Sequence, residues 1–260
     1  MMKKNKKFIE NVETFNPSPI IKPLSNEEKE EILSNSSTLV EKRNNFLHPL
    51  VEGGSKIVSQ YHDNSDIGCT AGFWIKKNNQ DFILTAGHCA KIFPSLFCVH
   101  SFQNNTLIGP MDTRIMNLYD IGYIRKTNTR LVLRPIIRQI NREDSRFVQL
   151  QIVGISQITN IRVYICKAGA VTGFSCGKVT ALNTVSMVNG FPRINTFVLH
   201  EIEANGGDSG GPMFRFNGRN GQSHLADAVG IHFAGNSNAE RAIGLPINIA
   251  LRDGYSLVMT

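Results

Sequence analysis

Two stretches of this chain carry residue types that make a nucleophile and the base to activate it. Gly206-Gly207-Asp208-Ser209-Gly210-Gly211-Pro212 sets a serine among glycines, and Leu84-Thr85-Ala86-Gly87-His88-Cys89 presents a histidine well upstream. A serine hydroxyl attacks a carbonyl only when a neighbouring base takes its proton. The tetrahedral intermediate then carries a negative oxygen that needs donors already in place. Without Cβ atoms, Gly207, Gly210 and Gly211 let the backbone take positive φ and lie close to a substrate, so the amides of Gly207 and Ser209 can converge on one point. The loop therefore reads as an oxyanion hole around a nucleophile. Its residues also suit a Gly-rich surface turn or the strand-to-helix elbow of Gly-x-Ser-x-Gly hydrolases. The upstream histidine motif weighs against both.

Four segments together resemble the chymotrypsin-like serine proteases, in the streptogrisin and alpha-lytic protease branch. They are Cys69-Thr70-Ala71-Gly72-Phe73 running on to Phe82–Cys89, the run Asn117 to Arg125, the run Cys166 to Asn183, and the serine loop. The resemblance spans residues 51 to 250 in the order His, Asp, Ser used by that class. It implies Ser209 as nucleophile, His88 as general base and acid, Asp120 as the group orienting His88, and the Gly207 and Ser209 amides as oxyanion hole. Asp112 competes for the aspartate role. The apolar Ile121, Tyr123 alternation after Asp120 favours Asp120, because a strand start holds a carboxylate rigidly.

The same resemblance assigns a second layer. Asp208, just before the nucleophile, is expected to be held by a buried cation, and Lys167 stands where the branch carries an arginine. A lysine offers a single compact charge rather than a bidentate fork, so the loop is expected to be held less firmly. Gly230 to Asn236 is expected to be the strand lining the primary pocket, with His232, Phe233, Ala234 and Gly235 contacting substrate. Phe233 falls where a serine supporting the aspartate is expected. His232 in a Gly-x-His run resembles the pocket strand of glutamyl endopeptidases and viral 3C-type proteases, which points to an acidic or amide P1 residue. A histidine packed inside the barrel is the other reading of that position.

The resemblance pairs Cys69 with Cys89 and Cys166 with Cys176, leaving Cys98 as a buried thiol. Metal binding is disfavoured, since no CxxC pair or His/Cys cluster has ligand spacing. Two disulfides imply an oxidising compartment and a secreted protein. Residues 1–50 are polar and charge-mixed, with a basic start but no apolar signal core, and with one short amphipathic stretch at Asn26 to Leu33. They read as a propeptide remnant or a disordered leader ahead of a protease domain at 51–260.

Past residue 50, short apolar alternations separated by Gly, Asn and Ser turns argue for an all-β protein. Examples are Ala71, Phe73, Ile75; Val148, Leu150, Ile152; Ile161, Val163, Ile165; and Phe197, Leu199. The resemblance makes this two six-stranded antiparallel barrels, about 51–133 and 134–260, with a short closing helix at Pro246 to Leu251. The 260 residues carry a formal charge of +7, but their basic residues after the leader are scattered singly without a nucleic-acid-binding motif, so a solvated basic surface is the better account. No stretch approaches a membrane span. The expected partner is a polypeptide substrate, with no cofactor, no nucleic acid and no membrane, and the expected state is a monomer. The contending function is a non-catalytic protease homologue that binds a partner through its cleft. Such proteins normally lose a triad member, and all three are present here.

Overall fold

The computed structural model describes residues 49–59, 67–100, 105–138, 149–218 and 224–260. The leader reading for residues 1–48, its amphipathic stretch and Val148 lie outside the described residues.

The chain forms two antiparallel barrels. Strand β1 (Leu50–Gly53) belongs to neither ring; the first ring begins at β2 (Lys56–Ser59), with β3 (Ile67–Thr70), β4 (Trp74–Lys77), β5 (Gln80–Thr85), β6 (Ser95–Val99), β7 (Thr106–Ile115) and β8 (Ile121–Arg125). These pair in the order β4-β5-β8-β7-β6-β2-β3. Across residues 71–73 the chain keeps strand-like bonds, with Gly72 N donating to Leu84 O and Leu84 N to Phe73 O. Counting β3 and β4 as one bent strand closes a six-stranded ring.

The second barrel closes outright. β11 (Tyr164–Gly169), β12 (Gly173–Val188), β13 (Phe191–His200), β14 (Pro212–Phe216), β15 (Leu225–Asn236) and β16 (Arg241–Pro246) run in the order β15-β14-β11-β12-β13-β16, and β16 returns to β15. Every pairing within either ring is antiparallel.

Additional strands differ from the simple two-barrel expectation. β1 (Leu50–Gly53) pairs in parallel with β9 (Val132–Arg138), which joins β10 (Gln149–Ile155) and thence β15. At the other end, β17 (Ser256–Leu257) adds to β4 of the first sheet. The two ends of the domain are thus exchanged between sheets, and residue 133 falls inside β9 rather than at a break. The short helix α1 (Ile247–Ala250) stands where expected. Its Ala250 carbonyl accepts from the buried Tyr123 hydroxyl, tying the C-terminal segment to β8. Strand limits shift in two places: Ala71 and Phe73 fall between β3 and β4, and Ile161 and Val163 precede β11, where Arg162 takes φ of 70° and turns the chain.

Candidate active site

His88 sits in a single 3-10 turn, Gly87–Cys89, that ends β5. Asp120 immediately precedes β8, the strand paired with β5, so strand register alone brings the two residues together. The carboxylate takes the histidine twice: His88 N donates to Oδ1 at 2.9 Å, and Nδ1 lies 2.8 Å from Oδ2. With Nδ1 as donor, Nε2 is left as the basic nitrogen. Asp120 is 2% exposed, whereas the His88 side chain is 38% exposed. Burial alone would raise the Asp120 carboxyl. The His88 hydrogen bonds and charge, with a smaller contribution from Arg193, outweigh it and hold the group below the usual carboxylate range. Asp112 instead lies near the surface, where its Oδ2 accepts from Arg125 Nε at 2.9 Å and Nη2 at 2.6 Å.

The serine loop is anchored on three sides. Gly210 N donates to His232 O and His232 N to Gly211 O, which stitches the loop to β15. Thr70 N donates to Ser209 O at 2.8 Å, and Cys89 Sγ lies 3.8 Å from the same oxygen, so Ser209 adjoins the histidine turn. Gly207 and Gly210 take φ of 100° and 88°, and a Cβ on Gly210 would strike Thr85 Oγ1. Only glycine fits there.

Asp208 is fully buried and receives five donors. Lys167 Nζ (2.8 Å), Thr172 Oγ1 (2.6 Å) and Asn205 N (3.0 Å) reach Oδ2, while Val171 N (3.0 Å) and Thr172 N (3.1 Å) reach Oδ1. Lys167, also fully buried, donates to Thr172 Oγ1 as well. Against burial, which raises it, the Lys167 charge leads the other donors in bringing the Asp208 carboxyl down to about 2. Burial pulls the Lys167 ammonium below its usual range despite Asp208, so its desolvation offsets part of what the pair contributes. Beside the single charge that Lys167 offers, Thr172 Oγ1 and three backbone amides add neutral donors to the same carboxylate.

On β15, His232 and Phe233 are buried, Ala234 is half-buried and Gly235 is exposed. Phe233 offers no hydroxyl to Asp120. The His232 ring turns its Cε1 toward Gly235, where an added Cβ would also meet Ala204. Its Nδ1 has no hydrogen-bond partner among the described residues. Burial first, then the Lys167 charge, pushes His232 down to about 3, so it is a neutral imidazole near neutral pH.

Four contributors escaped the reading of the sequence. Thr70 accepts from Ala170 N and donates to Gly207 O at 2.7 Å, fixing the peptide that follows Gly207. Gly169 leaves the space that the Asp208 carboxylate fills, and Thr172 bridges Lys167 to it. Thr70, Gly169 and Thr172 lie inside the motifs named above, where no role was assigned to them. The fourth, Arg193, carries no local signal at all.

Both expected disulfides form, Cys69–Cys89 and Cys166–Cys176, the latter between directly opposed residues of β11 and β12. Cys98 is buried in β6 outside both. Cys69, His88 and Cys89 approach one another, but both sulfurs belong to the disulfide. No helix among the described residues is long and apolar enough to cross a membrane.

Two closed six-stranded barrels, with a buried aspartate on a histidine from the first and a Gly-Asp-Ser-Gly-Gly loop from the second, define the chymotrypsin-like serine protease class. No family model matches the chain. Within the class it is similar to streptogrisin-C of Streptomyces griseus, 28% identical over 156 residues, which are 58% of this chain and 30% of that protein. It is also similar to serine protease 1 of Streptomyces fradiae, 28% identical over 195 residues, 72% of this chain and 47% of that one. The chain therefore spans less than half the length of the curated relatives it matches, from 30% to 47%. Among solved structures, a glutamic acid specific serine protease that uses a novel histidine triad in substrate binding superposes with a TM-score of 0.62 at 25% identity, covering 80% of this chain and all of that one.

Proposed function

We propose that this chain is a serine endopeptidase acting through an acyl-enzyme. Ser209 Oγ attacks the scissile carbonyl as His88 Nε2 takes its proton. The Gly207 and Ser209 amides receive the oxyanion, and the imidazolium gives the proton to the leaving amine. Water then repeats the sequence to release the acyl group. Asp120 stays ionised throughout, holding the tautomer and stabilising the imidazolium. The observation that carries this reading is the His88–Asp120 couple, 2.8 Å across, beside a serine loop clamped by Asp208 and Lys167. The two disulfides support an extracellular site of action.

For the primary pocket, the function extends to acidic or amide P1 side chains. A neutral His232, edge-on to the side-chain-free Gly235 and hydrogen-bonded to the Ile243 backbone, leaves Nδ1 as an acceptor for an amide N–H or a protonated carboxyl, with no fixed charge. The histidine-dependent neighbour supports the same direction. Digestion of a peptide library tests both parts. The expected result is internal cleavage after Glu or Gln, absent in Ser209→Ala. Cleavage that survives Ser209→Ala contradicts the endopeptidase mechanism, and cleavage only after Lys, Arg or large apolar residues removes His232 from specificity.

A further inference from the structure

The run leading into Asp120 is held from the opposite barrel. Three consecutive residues of β13 take three consecutive residues of that run. Arg193 Nη1 donates to Asn117 O at 2.9 Å, Ile194 N donates to Leu118 O at 3.0 Å, and Asn195 Nδ2 lies 3.5 Å from the Tyr119 hydroxyl. Barrel closure does not require this contact. β13 pairs with β16 only over Phe197–His200, so residues 191–196 form an arm beyond the ring, built with β12 around the turn at Asn189 and Gly190. The arm exposes Val185, Met187 and Phe191, yet turns Arg193 inward until it is 4% exposed.

A guanidinium that deeply buried is costly unless its charge is answered. Its hydrogen bonds go to neutral carbonyls, those of Asn117 and Pro192, and its Nε has no partner among the described residues. The Phe191 ring lies 5.9 Å from the guanidinium, and the Asp120 carboxylate, whose own hydrogen bonds are all with His88 among the described residues, also feels its charge.

We infer that Arg193 is a positioning residue for the triad: from the β12–β13 arm it fixes the run 117–119 that leads into Asp120, and so keeps the carboxylate aimed at His88. This rests on the protease function proposed above. It also makes the arm a strap between barrels, so that the histidine half of the site depends on a segment of the serine half.

The test compares Arg193→Met and Arg193→Lys in the full chain, by steady-state kinetics and by the low-field proton resonance of the His88 Nδ1 hydrogen bond. Arg193→Met is expected to lower kcat on the order of 10- to 100-fold with KM within about twofold, the pattern of a lost transition-state interaction. Its low-field resonance is expected to shift or broaden. Arg193→Lys, which keeps a charged donor, is expected to recover most of kcat and the resonance. Wild-type kcat and resonance in Arg193→Met overturn the inference, as does a folded Arg193→Lys no better than Arg193→Met. If Arg193→Met does not fold, Arg193→Lys alone decides: near-wild-type kcat and resonance support the role, and their loss in a folded protein overturns it. The resonance needs no turnover. If the wild type cleaves nothing, the protease function fails, while a resonance that still depends on Arg193 upholds the positioning role and one that does not overturns it.

Discussion

Among the described residues, replacing Lys167 with methionine removes one of five donors to Asp208 and the only positively charged one, leaving a fully buried carboxylate on Thr172 Oγ1 and three backbone amides. Breaking a buried pair from one side costs about 3–5 kcal/mol. Four surviving donors place this case at the low end, about 3 kcal/mol, or about 6–12 °C in Tm for a domain of this size. The sign with pH follows from Asp208. Its carboxyl is held at about 2 rather than 3.8, so the stabilisation is present above about 3.8 and is lost as pH falls toward 2. Without Lys167 the carboxyl rises, and the deficit of the variant is therefore largest at neutral pH and narrows in acid. Because the pair carries its own desolvation cost, Lys167→Met/Asp208→Asn should be more stable than Lys167→Met alone. Thermal unfolding followed by circular dichroism at pH 7 and pH 3 reads all of this. A Tm at pH 7 within about 2 °C of wild type, below the effect of even 1 kcal/mol, or a deficit that does not narrow in acid, would refute the reasoning.

Asp120→Asn keeps a hydrogen bond to Nδ1 but favours the wrong tautomer, and kcat at neutral pH should fall on the order of 10⁴-fold; Asp112→Asn, at the surface pair with Arg125, should stay within about twofold. Breaking Cys69–Cys89 frees a 20-residue separation, which should lower stability by about 3 kcal/mol, measured by denaturant unfolding. His232 must remain neutral in the fold while the unfolded chain protonates near 6.5, so native stability falls as pH drops below that value. His232→Gln should flatten this dependence between pH 6.5 and 4 by about 3 kcal/mol, and an unchanged slope in urea titrations would contradict its burial.

The reacting residues were legible because their chemistry dictates neighbours close in sequence. Gly210 must be glycine for its φ and its contact with Thr85, and Asp120 could be preferred to Asp112 because β8 follows it directly. β8 itself is buried on both faces rather than alternating, since it lies between β5 and β7 with side chains packed on either side. What sequence reasoning missed depends on long-range pairing. Arg193 lies 76 residues from the carbonyl it holds, and Thr70 137 residues from Gly207. Neither position has a local pattern that distinguishes it from an ordinary strand residue. The exchange of β1 and β17 between sheets is hidden for the same reason, because a strand of two to four residues carries no mark of its partner. Ile161 and Val163 misled for a local reason: apolar alternation fits a strand, but the positive φ at Arg162 turns the chain before β11 begins.

The central claim is that Ser209 is an activated nucleophile, and covalent labelling measures it most directly. A fluorophosphonate probe, applied to the full folded chain and mapped by peptide mass spectrometry, should modify Ser209 stoichiometrically, at a rate that falls steeply in His88→Ala. Absence of label on Ser209 in the folded protein, or equal labelling in His88→Ala, would contradict the claim.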